Sequence, residues 1–169
     1  MNVNGHERFV RLVEKRANRF RDNLLLVIRL SDSRYEHQMK EVEYYFDAMR
    51  NALSILKEAF FMAKNGKFNV EIAVLENWLE VNNRTPSSDT NSSFHRLMTN
   101  RVNRILDVIR LMINLANKSH YDYAQSEAKQ VIKWMEKNLE IAFSHFAGIN
   151  EFHLGDVEVD DELKRGGRP

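Results

Sequence analysis

Residues 9–30 recur in residues 94–115, with ten of 22 positions identical. The matches are Phe9/Phe94, Arg11/Arg96, Leu12/Leu97, Arg16/Arg101, Asn18/Asn103, Arg19/Arg104, Asp22/Asp107, Leu26/Leu111, Ile28/Ile113 and Leu30/Leu115. Average amino-acid usage would give roughly one or two coincidences over such a stretch. From Ser33 onward the offset grows from 85 to 86, and seven of 28 positions match: Ser33/Ser119, Tyr35/Tyr121, Glu41/Glu127, Met49/Met135, Leu53/Leu139, Ile55/Ile141 and Phe60/Phe146. The second copy therefore carries one extra residue between its halves, where a loop absorbs it best. Two copies of one unit, about 9–60 and 94–146, constrain the fold more than any local pattern, because each must bury its apolar face against the other.

The spacing predicts helix–turn–helix in each copy. Phe9, Leu12, Val13, Phe20, Leu24 and Val27 share one helical face, as do Phe94, Leu97, Met98, Ile105, Ile109 and Met112. In the second halves, Val42, Tyr45, Phe46, Met49, Leu53, Leu56 and Phe60 step by three and four. Ala128, Val131, Ile132, Met135, Leu139, Ala142 and Phe146 do the same. Ser33-x-x-Glu36 and Ser119-x-x-Asp122 read as capping boxes opening those second helices, a serine oxygen accepting from a free helix N–H while the acid reaches back.

Two amphipathic hairpins most economically form an all-α, four-helix-bundle-like domain over residues 1–148. A shorter connecting helix is expected at about 68–82, with Ile72, Leu75, Trp78 and Leu79 on one side, followed by a turn-rich connector at 82–93. Residues 149–169 form a charged tail that lacks apolar spacing in its second half and is expected to be disordered.

Composition removes several classes of function. With 43% hydrophobic and 29% charged residues, the chain reads as an ordinary folded protein. The absence of cysteine excludes disulfides, thiolate zinc sites and thiol catalysis. The polar start Met1–Arg8 has no secretory core, and the longest apolar run, Leu24–Ile28, falls far short of the roughly 20 residues of a membrane span. A cytoplasmic location without membrane association is expected.

The matched polar residues are the functional leads. Arg16 and Arg101 fall in the middle of their apolar faces, where a guanidinium is costly unless it is paired or led to the surface. One reading makes them structural, bonded to helix-end carbonyls or a carboxylate; the other makes them grips on a phosphate or carboxylate ligand. Arg11 and Arg96 lie on the opposite side, flanked by Arg19 and Arg104. Residues 5–34 hold eight basic and four acidic side chains, and residues 91–118 five and one, so each first helix is +4 in a chain of net charge +1. A duplicated basic stripe suits a nucleic-acid backbone, although a charged outer face is also what any solvated helix shows. These six arginines are the candidate anion or partner contacts.

Catalytic and cofactor signatures are lacking. No Glu-x-x-His pairs, H-E-x-x-H, phosphate-binding glycine loop, G-x-S-x-G or dinucleotide fingerprint occurs. Arg34-Tyr-Glu-His37 is too short for the Arg–His spacing of HEPN-type helical ribonucleases. No enzyme activity, metal or cofactor is expected. The stretch from Arg101-Val-Asn-Arg104 through Leu115-Ala-Asn117-Lys-Ser119-His-Tyr121-Asp-Tyr123 to Phe146 resembles short all-helical proteins of bacteria and mobile elements. The resemblance implies an accessory protein and no particular activity; copy one departs from it at Ser31–Arg34. A non-enzymatic scaffold that binds a protein partner or itself is the expected function, with a nucleic-acid-associated regulator as the alternative.

Overall fold

A computed structural model describes residues 2–32, 34–64 and 92–147 of the chain. Every regular element among them is helical. Helix α1 spans Val3–Ile28, α2 Met39–Lys64, α3 Ser92–Ile113 and α4 Gln125–Ala147. Single 3₁₀ turns, Arg29–Ser31 and Asn114–Ala116, close α1 and α3. The connecting helix expected at 68–82 and the tail from 149 lie outside the described residues.

The close helix–helix approaches run between hairpins rather than within them. Helices α1 and α2 each pack against both α3 and α4. In a four-membered ring this order is α1–α3–α2–α4, so the two helices of each hairpin occupy opposite corners. The connections, residues 29–38 and 114–124, are long enough to cross the end of the bundle. Contacts across the α1/α3 seam (Arg16 with Leu111, Arg101 with Leu26) run antiparallel, whereas His6 of α1 meets Glu127 of α4 near both N-termini, so that pair is parallel.

The apolar stripes read from the sequence build one continuous core. Phe20, Leu24, Val27, Phe46, Met49, Leu56, Phe94, Met98, Ile105, Ile109, Met112, Met135 and Ala142 are fully buried. Leu12, Leu97 and Val131 are only half-buried, at the edges of their stripes. The ends of the bundle are closed by aromatic triads. Phe9 stacks on Tyr123 at 4.6 Å, and Phe60 meets the two rings edge-on at 6.4 and 5.2 Å. Phe94 stacks on His37 at 4.9 Å, and Phe146 meets that pair edge-on at 6.5 and 5.5 Å. Each ring of one triad stands at the position matching its counterpart in the other.

The expected capping boxes are corrected. Helices α2 and α4 begin at Met39 and Gln125, several residues after the serines. Ser33 lies outside the described residues. Ser119 is held in a turn, its N–H and hydroxyl both donating to Asn117 Oδ1, and Asp122 accepts from the backbone N–H of Asn2 at 2.6 Å. Both groups are thereby spent before the helix starts. The acid that does cap α4 is Glu127, whose Oε2 accepts from the N–H of Ala124 at 2.8 Å. It is also the identical member of the Glu41/Glu127 match.

At the other terminus of the seam, Asn2 caps α1 by accepting from the Gly5 N–H at 3.3 Å. A Cβ on Gly5 would stand 3.3 Å from the Asp122 nitrogen, so glycine lets α1 lie close to the connection before α4.

Candidate functional site

Arg16 and Arg101 cross the α1/α3 seam in opposite directions. Arg16 Nη1 donates to the Leu111 carbonyl at 2.7 Å, and Arg101 Nη1 donates to the Leu26 carbonyl at 2.6 Å. Both donors and both acceptors are pairs matched at the offset of 85. Each carbonyl belongs to the last turn of its helix, where acceptors run short of intrahelical partners and the macrodipole is negative. A guanidinium entering there satisfies a carbonyl and finds a favourable field, which offsets part of the cost of a charge on an apolar face. Burial holds the Arg101 guanidinium below its ordinary pKa, with further lowering from Arg29 and Arg104 nearby. These bonds suit the structural reading of the pair: the two arginines tie one hairpin to the other.

The other four candidates behave differently. Arg11, Arg19, Arg96 and Arg104 are exposed and make no ion pair among the described residues. Because α1 and α3 are neighbours, both basic helices lie on one side of the bundle. The α2/α4 side is laced instead by Arg50, bidentate to Glu140 at 2.8 and 3.1 Å and 4.6 Å from the Phe143 ring.

Sequence reasoning missed a groove between α1 and α4. It encloses about 410 Å3, lined on α1 by Phe9, Val10, Val13, Glu14, Ala17 and Asn18 and on α4 by Glu127, Gln130, Val131 and Trp134. The corresponding interface, between α3 and α2, is filled. There Tyr45, 1% exposed, inserts its ring and shares hydrogen bonds of 2.8 Å with His95 Nδ1 and Thr99 Oγ1. Burial raises the phenol pKa to about 12, so it serves as a neutral hydroxyl. The positions matching Tyr45, His95 and Thr99 are Val131, Val10 and Glu14. Smaller apolar side chains and an outward carboxylate stand where the filled interface has a ring and its two partners. Volume differences at unmatched positions were the signal; attention to identities alone passes over them.

One rim of the groove is electrostatically set. Glu127 accepts from the Ala124 N–H and from His6 Nε2 at 2.9 Å, and these bonds, the backbone one first, hold its pKa below the ordinary carboxylate range. A depressed folded pKa contributes stability above the unfolded value, and the contribution is lost as pH falls through the folded value. Glu127→Ala is therefore expected to cost about 1 kcal/mol at pH 7, as caps do. In urea titrations the difference from wild type should shrink as the solution is acidified below the ordinary carboxylate range. A cost that persisted undiminished into strong acid would contradict this role.

Among the described residues no three His, Asp or Glu side chains gather as a metal site, and no helix is long and apolar enough to cross a membrane. The chain matches no family model, no curated protein and no solved structure.

Proposed function

We propose that the chain is a non-enzymatic helical interaction module, built by duplication of one hairpin into a single domain over residues 1–148. It works in the cytoplasm, binding a protein partner or a second copy of itself on the open side between α1 and α4. The observation that carries this reading is the groove: an apolar-floored recess at a helix pair where Val131 stands in place of the Tyr45 that fills the matched interface. Loss of the plug costs packing and leaves a concave surface of the size at the lower end of binding pockets. The engaged bonds of Arg16 and Arg101 favour this over an anion receptor centred on them.

The test is the solution mass of the full chain, alone and with captured partner, for wild type, Val131→Lys and Arg104→Glu. Complex formation abolished by Val131→Lys and retained by Arg104→Glu is expected. A complex indifferent to Val131→Lys contradicts the reading.

Arg11, Arg19, Arg96 and Arg104, exposed on the neighbouring helices α1 and α3 and without an ion pair among the described residues, favour a second reading, a nucleic-acid-associated regulator. It requires a DNA or RNA probe to bind more weakly as salt rises, with each phosphate contact removed lowering the log–log slope by about 1. No binding at low salt, or binding that ignores Arg19→Glu with Arg104→Glu, removes it.

A further inference from the structure

We infer that the α1/α4 groove receives a single aromatic side chain bearing a hydrogen-bond donor, presented beside a lysine by a helical segment of a protein partner. Glu14 is the acceptor. The inference rests on reading the chain as a protein-binding module and specifies the chemistry of the partner.

The protein itself shows what this shape accommodates. At the matched interface the occupant is a tyrosine whose hydroxyl lies 2.8 Å from Thr99 Oγ1. Glu14 takes the Thr99 position, and it has no hydrogen bond or ion pair among the described residues. A carboxylate there can only accept, so it selects an O–H or N–H donor, and a charged acceptor strengthens that bond. The recess under it is lined by Phe9, Val13 and Val131, with the half-buried Trp134 as a wall. An aromatic ring gains both burial and ring–ring contact against such a surface. The charge around the recess points the same way. Among the described residues its charged lining side chains are Glu14 and Glu127. Glu127 is already bonded to His6 and to the Ala124 N–H, which leaves the Glu14 carboxylate to be matched, and Glu7, Arg11 and Lys15 belong to the adjoining outer strip of α1. A lysine one turn from the aromatic residue complements the Glu14 carboxylate.

The experiment titrates the full chain with three helical Ala/Lys peptides of about 16 residues, long enough to hold several turns. One has a central tyrosine, one has alanine there, and one keeps the tyrosine with glutamate in place of lysine. The readout is the methyl resonances of Val10, Val13 and Val131 together with the Trp134 indole N–H. Saturable shifts confined to these groups are expected with the tyrosine–lysine peptide. Removing the tyrosine should weaken binding at least about tenfold, as for a central aromatic anchor. Exchanging lysine for glutamate, or Glu14→Gln in the protein, should weaken it about threefold to tenfold. Glu14→Gln should leave the melting temperature in place, because among the described residues the carboxylate makes no hydrogen bond or ion pair. Val131→Tyr, which copies the filled interface, should abolish binding in a protein that melts cooperatively.

Shifts elsewhere, equal binding of the alanine peptide, or binding retained by folded Val131→Tyr would overturn the inference. Should Val131→Tyr not fold, the peptide series and Glu14→Gln decide it alone. If none of the peptides binds while the chain still forms a complex sensitive to Val131→Lys, the occupant assigned here is wrong and the interaction module stands.

Discussion

Replacing both Arg16 and Arg101 by methionine is expected to lower the stability of the fold by about 3–5 kcal/mol. Each guanidinium donates a charge-assisted bond to a last-turn carbonyl of the opposing first helix, at 2.7 and 2.6 Å. Such bonds contribute about 1.5–3 kcal/mol apiece when one partner is charged. Methionine keeps the unbranched stem against the core and returns some desolvation cost, which holds the loss below the sum of both upper limits. The two bonds share no atoms, so the single variants should each show about half of the effect and add in a double-mutant cycle. Urea denaturation followed by circular dichroism measures this directly. A double variant as stable as wild type would mean that the carbonyls find other partners and that the arginines are there for something else.

The second large effect belongs to the aromatic triads. Phe9→Ala and Phe94→Ala are each expected to cost about 3–5 kcal/mol, the range for deleting a fully buried phenylalanine. Each ring touches one partner face-on and another edge-on, so its loss opens a cavity at the end of the bundle where the crossing connection is anchored. The third members are unequal. The Tyr123 hydroxyl donates to the Ala116 carbonyl at 2.7 Å, whereas His37 Nδ1 lies 2.8 Å from the Tyr35 carbonyl. Tyr123→His should therefore cost about 1–3 kcal/mol by leaving a buried carbonyl unpaired. Chemical denaturation with an unchanged slope would locate these losses in the native state; near-wild-type stability of both Phe9→Ala and Phe94→Ala would show that the triads do not carry the ends.

The faces of the four long helices were legible because burial repeats with helical period. Phe20, Met49, Ile105 and Met135 all stand where periodicity puts them. Their partners were not legible. Apolar spacing says which side of a helix is dry and not which helix covers it, so the crossed arrangement, with each hairpin split across the ring, has no counterpart in the sequence pattern. The capping error has a similar origin. Ser119-x-x-Asp122 fits a local rule, but Asn117 and the distant Asn2 claim its groups, and the N–H of Ala124 goes instead to Glu127. Arg16 and Arg101 stood out because charge on an apolar stripe is physically conspicuous. The groove did not, because it arises from what three substituted positions, Val10, Glu14 and Val131, leave out.

The central claim divides the molecule into a seam that holds it together and a groove that does its work. The most direct measurement is complex formation and thermal unfolding on the same samples of Val131→Tyr and Arg16→Met. The account expects Val131→Tyr to melt at or above the wild-type temperature and to lose association. Arg16→Met should melt lower and associate normally wherever it is folded. The reverse result, with association lost in folded Arg16→Met and kept in Val131→Tyr, would contradict it by placing the working site on the α1/α3 seam.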